Sequence, residues 1–64
     1  MIDLVRVLES DIRDQERIIA ADQALLSIET SGPRRLELMR EISKAKEQID
    51  RVKRKIESIN NPGA

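Results

Sequence analysis

Apolar residues in the second half of the chain fall at Leu38, Ile42, Ala45, Ile49, Val52, Ile56 and Ile59, at steps of 4, 3, 4, 3, 4 and 3. This unbroken heptad seam predicts a helix from about Pro33 to about Ile59, with one face that a partner helix must cover. Good helix formers occupy the positions between, and Glu47 with Arg51 and Asp50 with Arg54 stand four apart in the favourable order. Asn60-Asn61-Pro62-Gly63 then reads as a stop signal.

The first half carries two adjacent apolar stripes. One holds Val5, Leu8, Ile12, Ile19 and Leu26; the other holds Leu4, Val7, Ile18, Ala21, Leu25 and Ile28. Together they predict a helix over about 3–30 whose apolar face is wider than one coiled-coil seam, as in a helix with more than one neighbour. Gln15 and Asp22 interrupt the first stripe, and Asp11 and Asp14 the second, so the middle of this helix is expected to be the wettest part of the core.

Thr30-Ser31-Gly32-Pro33 separates the two helices. Gly32 suits a C-cap or turn position with positive φ, Pro33 suits the first turn of the next helix, and Ser31 or Thr30 suits the N-cap. So short a break makes the helices antiparallel neighbours, the alternative being that both merge into one long kinked helix. The expected architecture is all-α: a single coiled-coil-like helical hairpin over 1–60, with a turn at about 30–33 and a short tail over 61–64.

Charge sharpens this picture. The chain has 12 basic and 12 acidic side chains, but residues 1–30 carry a net −4 and residues 31–64 a net +4. An acidic helix beside a basic one favours pairing within the hairpin. A turn near Ser31–Gly32 opposes residues whose numbers sum to about 64. That register sets Leu26 near Leu38, Ile19 near Ala45, Ile12 near Val52, Leu8 near Ile56 and Val5 near Ile59. It also sets Arg17 near Glu47, Asp11 near Lys53, Glu9 near Lys55 and Glu29 near Arg35.

The hairpin uses only the first stripe. Leu4, Val7, Ile18, Ala21, Leu25 and Ile28, with Leu36 and Met39 off the second-helix seam, are left as a surplus. With 64 residues, no aromatic residue and no cysteine, the chain has neither large core-filling side chains nor disulfides, and oligomerisation is the remaining common staple. A second copy covering those eight residues would give a dimeric four-helix bundle; an amphipathic helix of another protein would serve the same surface.

Candidate chemistry is sparse. With neither Cys nor His, and no base evident for Ser10, Ser27, Thr30, Ser31, Ser43 or Ser58, nucleophilic catalysis has no support. Asp11, Asp14 and Asp22 lie at core-phase positions, but a bundle metal site commonly adds histidine, so no metal, cofactor or small-molecule substrate is expected. These carboxylates fit better as devices of register and partner choice. Arg51, Arg54 and Lys55 share a helix face that could meet nucleic-acid phosphates. The interleaved Glu47, Asp50 and Glu57, the neutral total and the lack of aromatics argue against that use. No apolar run approaches a membrane span, and the start, Met1-Ile2-Asp3-Leu4, lacks a signal-peptide layout, which leaves a cytoplasmic location as the default.

In size and hairpin pattern the chain is similar to small bacterial helical hairpins, among them the aspartyl-phosphatase family of sporulation regulators and small co-chaperones of secretion systems. The former carry a Ser-Gln-Glu-Leu-Asp motif on the second helix. Against it, Ser43-Lys44-Ala45-Lys46-Glu47 agrees only at the serine, so no activity is carried across. The expected function is non-enzymatic: a self-associating assembly module, adaptor or small regulator. The alternatives are a nucleic-acid-binding regulator and a subunit or co-chaperone ordered by its partner.

Overall fold

The computed structural model describes residues 3–61 and residue 63, and it is a hairpin of two packed α-helices. Helix α1 spans Leu4–Ile28 and helix α2 spans Gly32–Asn60. The molecule measures 48 × 23 × 13 Å, a ribbon two helices wide and one helix thick. Both broad sides are therefore open.

Asp3 starts α1 by accepting hydrogen bonds at Oδ1 from the backbone N–H of Val5 (3.1 Å) and Arg6 (3.4 Å). These are two of the donors that a helix N-terminus leaves unpaired. The chain reverses through three residues, Glu29, Thr30 and Ser31. Glu29 and Ser31 are both extended, with φ −77° and −74°. The reversal needs no left-handed residue, so the positive φ anticipated for Gly32 does not occur; Gly32 is the first residue of α2, with Pro33 in its first turn. Ser31 takes the N-cap position, but its hydroxyl makes no capping bond.

Arg35 instead ties the turn together. Its guanidinium Nη1 donates to the carbonyl oxygens of Leu26 (2.8 Å) and Glu29 (2.9 Å), which α1 leaves unpaired at its end. The Glu29 carboxylate accepts from the Ser31 N–H at 3.0 Å. Glu29 and Arg35 thus meet through the Glu29 main chain, not through the expected ion pair.

The core is the α2 seam. Leu38, Ile42, Ala45, Ile49 and Val52 are buried, Leu38 and Val52 to 1 % exposure. Facing them, Val5, Leu8, Ile12, Ile19 and Leu26 of α1 are half-buried, as is Ile56. Two features depart from the sequence reading. Ile59, placed on the seam, is 41 % exposed and lies opposite the first turn of α1. The cross-helix pairs Arg17–Glu47, Asp11–Lys53 and Glu9–Lys55 do not form among the described residues. Arg17 pairs with Asp14 (4.0 Å) and Glu47 with Arg51 (3.7 Å), each within its own helix. Neighbours three or four apart are already in reach, so they cost less ordering than partners on another helix.

Candidate interaction surface

Hydrogen bonding and the surface depressions together fix which rows of side chains share a broad side. Asp11 belongs to the α1 row Leu4, Val7, Asp11, Asp14, Ile18, Ala21, Leu25 and Ile28, at steps of 3 and 4 throughout. Gln48 Nε2 donates to Asp11 Oδ2 at 3.2 Å. Gln48 in turn belongs to the α2 row Glu37, Glu41, Lys44, Gln48, Arg51 and Lys55. At the open end, Leu4 of the first row and Lys55 of the second line one depression with Leu8, Ser58 and Ile59. These two rows form the front of the ribbon.

Only the α1 half of this front is apolar. Leu4, Val7, Ile18, Ala21, Leu25 and Ile28 are all exposed, Ile28 to 76 %. The row extends over about 36 Å at 1.5 Å per residue. The six lie on one stripe, interrupted at its middle by Asp11 and Asp14.

Leu36 and Met39 are equally exposed but belong elsewhere. A two-residue step turns a helix by about 200°, so Leu36 points away from the seam residue Leu38, and Met39 away from Glu41 on the front. Both line a depression made of α2 residues alone, with Arg40, Ser43, Lys44 and Glu47. The eight surplus residues therefore do not share one surface: six lie on the front of α1, Leu36 on the outer side of α2 and Met39 toward its back.

Arg51 and Arg54 line a shallow depression on α2 together with Glu47 and Asp50, while Lys55 lines the open-end depression with Leu4. The two arginines are thus interleaved with carboxylates, and Lys55 lies at the open end. Among the described residues no group of three or more Asp or Glu is placed to hold a metal ion, and no helix is long and apolar enough to cross a membrane.

Asp22 is the one buried charged side chain among the described residues, at 7 % exposure, and its Oδ2 has no hydrogen-bond partner. It occupies the first-stripe position between Ile19 and Leu26 and so sits in the hairpin seam, not on the open front. No family model, no curated protein and no solved structure matches this chain.

Proposed function

We propose that the chain is a non-enzymatic protein–protein interaction module that self-associates through the front row of α1, two hairpins making a dimeric four-helix bundle. The observation that carries this reading is the uncovered row Leu4, Val7, Ile18, Ala21, Leu25 and Ile28, which runs the whole length of α1. An exposed apolar row of this length fits an interaction site. A hairpin whose buried apolar core, among the described residues, is five side chains also gains stability from covering it. An assembly module, adaptor or small regulator would use the surface in the same way.

Light-scattering mass on a sizing column, with circular dichroism over a dilution series, tests the proposal. The expected result is a species of twice the 7.3 kDa chain mass whose helicity falls on dilution. A helical monomer at every concentration would sink the proposal. A weakly helical monomer that folds only beside another protein's amphipathic helix would replace it with the heteromeric reading. Nucleic-acid binding through Arg51, Arg54 and Lys55 is the weaker reading, given the carboxylates beside the two arginines.

A further inference from the structure

Resting on that reading of self-association, we infer that the two copies meet α1 against α1 in antiparallel sense, with both α2 helices on the outside. Three observations lead there. First, α1 alone supplies apolar surface to the front of the ribbon. The α2 row beside it is Glu37, Glu41, Lys44, Gln48, Arg51 and Lys55, every one polar or charged. A square bundle, in which the two α2 helices also face each other, would press these charges together without an apolar contact to offset them. A second copy can cover the α1 row with apolar side chains only by presenting its own α1 row, because neither Leu36 nor Met39 faces the front.

Second, the order of residues along the row selects the direction. The row reads apolar at Leu4 and Val7, acidic at Asp11 and Asp14, then apolar at Ile18, Ala21, Leu25 and Ile28. Parallel, in-register pairing sets Asp11 on Asp11 and Asp14 on Asp14, two like-charge contacts in one seam. Antiparallel pairing about a two-fold axis level with residue 16 takes each carboxylate off its own copy, the two Asp14 side chains then standing about one helical turn apart. It opposes Leu4 to Ile28 of the second copy, Val7 to Leu25, Asp11 to Ala21 and Asp14 to Ile18. Two apolar clusters then close the ends, and each contact occurs twice, as an isologous interface requires.

Third, both carboxylates are already held within their own hairpin. Asp11 accepts from Gln48 at 3.2 Å, and Asp14 pairs with Arg17 at 4.0 Å. Neither depends on the second copy for a partner. Ala21, the smallest side chain of the row, stands opposite Asp11 and leaves room for its hydration.

Disulfide trapping tests the arrangement, since the chain has no cysteine of its own. Val7→Cys/Leu25→Cys should convert almost wholly to a covalent dimer on mild oxidation, while Val7→Cys and Leu25→Cys alone should give none. Within one chain these positions are about 27 Å apart along the helix, far beyond the ~7 Å limit for a disulfide, so the bridge reports only the second copy. Asp11→Cys/Ala21→Cys repeats the test at positions where no large apolar side chain is lost, and carries it if the first pair unfolds the chain. Trapping by single Leu25→Cys would show parallel helices and overturn the inference. A dimeric mass without trapping of either pair would overturn it while leaving self-association standing. A helical monomeric mass for the unmodified chain would remove both.

Discussion

Gln48 donates its side-chain amide to Asp11 across the two helices at 3.2 Å, partly shielded from water. Among the described residues it is the one side-chain-to-side-chain hydrogen bond joining α1 to α2, and it locks the front edges of the two helices together. Gln48→Ala removes the donor and leaves Asp11 half-buried without it. The expected loss is about 0.5–1.5 kcal/mol, read from urea unfolding followed by circular dichroism. An unchanged midpoint would show that water replaces the amide at no cost.

The buried Asp22 carboxylate predicts the opposite sign. Its Oδ2 lacks a partner in a seam whose other buried side chains are apolar. Leaving a buried polar group unsatisfied typically costs ~1–3 kcal/mol. Asp22→Asn, which removes the charge at nearly constant volume, and Asp22→Ala should both raise the unfolding midpoint. Destabilisation by both variants would mean that the carboxylate has a stabilising role, and a buried polar residue that fixes register is one such role.

Arg35 predicts a cost confined to the turn. The side chain caps the Leu26 and Glu29 carbonyls at 2.8 and 2.9 Å, so Arg35→Met should destabilise the hairpin by about 1 kcal/mol while keeping most of the apolar stem. Amide hydrogen exchange should show the loss as faster exchange around residues 26–35, with the middle of α2 unaffected. Uniformly faster exchange along both helices would mean that the turn does not open separately.

The second-helix seam was legible because a helix with one neighbour shows it as a single narrow row, and from Leu38 to Val52 that row is buried. The assignment of the Val5, Leu8, Ile12, Ile19 and Leu26 stripe to the hairpin was legible for the same reason: antiparallel pairing about a short turn leaves few registers. Three things were not. Gly32 carries the same local signal whether it ends one helix or begins the next, and the extended Glu29 and Ser31 decided it. Long charged side chains reach several partners, and the nearest ones in the same helix won, as Arg17 with Asp14 shows. The separation of Leu36 and Met39 from the α1 row was available in principle. Each stands two residues from a residue on another face, a step that carries a side chain around the helix.

The depth of the seam predicts a gradient of mutational cost along α2. Leu38 is 1 % exposed near the turn, and truncating a fully buried leucine to alanine typically costs ~2–5 kcal/mol. Ile59, at the open end, is largely uncovered, so Ile59→Ala should cost well under ~1 kcal/mol. Chemical denaturation of the two variants measures both. Equal losses would mean that Ile59 is covered in solution by something beyond the hairpin.

Two exposed leucines separate the proposed interface from the rest of the surface. Leu25 stands on the front row of α1 and Leu36 on the outer side of α2, and both are exposed in the single hairpin. Burying an aspartate in an apolar contact is costly, while placing one in water is nearly neutral. Leu25→Asp should therefore weaken dimerisation by at least about tenfold, the equivalent of ~1.4 kcal/mol, and Leu36→Asp should leave it unchanged. Sedimentation equilibrium of the two variants beside the unmodified chain measures the difference directly. Dissociation by Leu36→Asp with Leu25→Asp silent would move the contact to the outer side of α2. There the only apolar surface is the small patch around Leu36 and Met39, flanked by Arg40, Lys44 and Glu47, and the front row of a second α1 would not be what covers it.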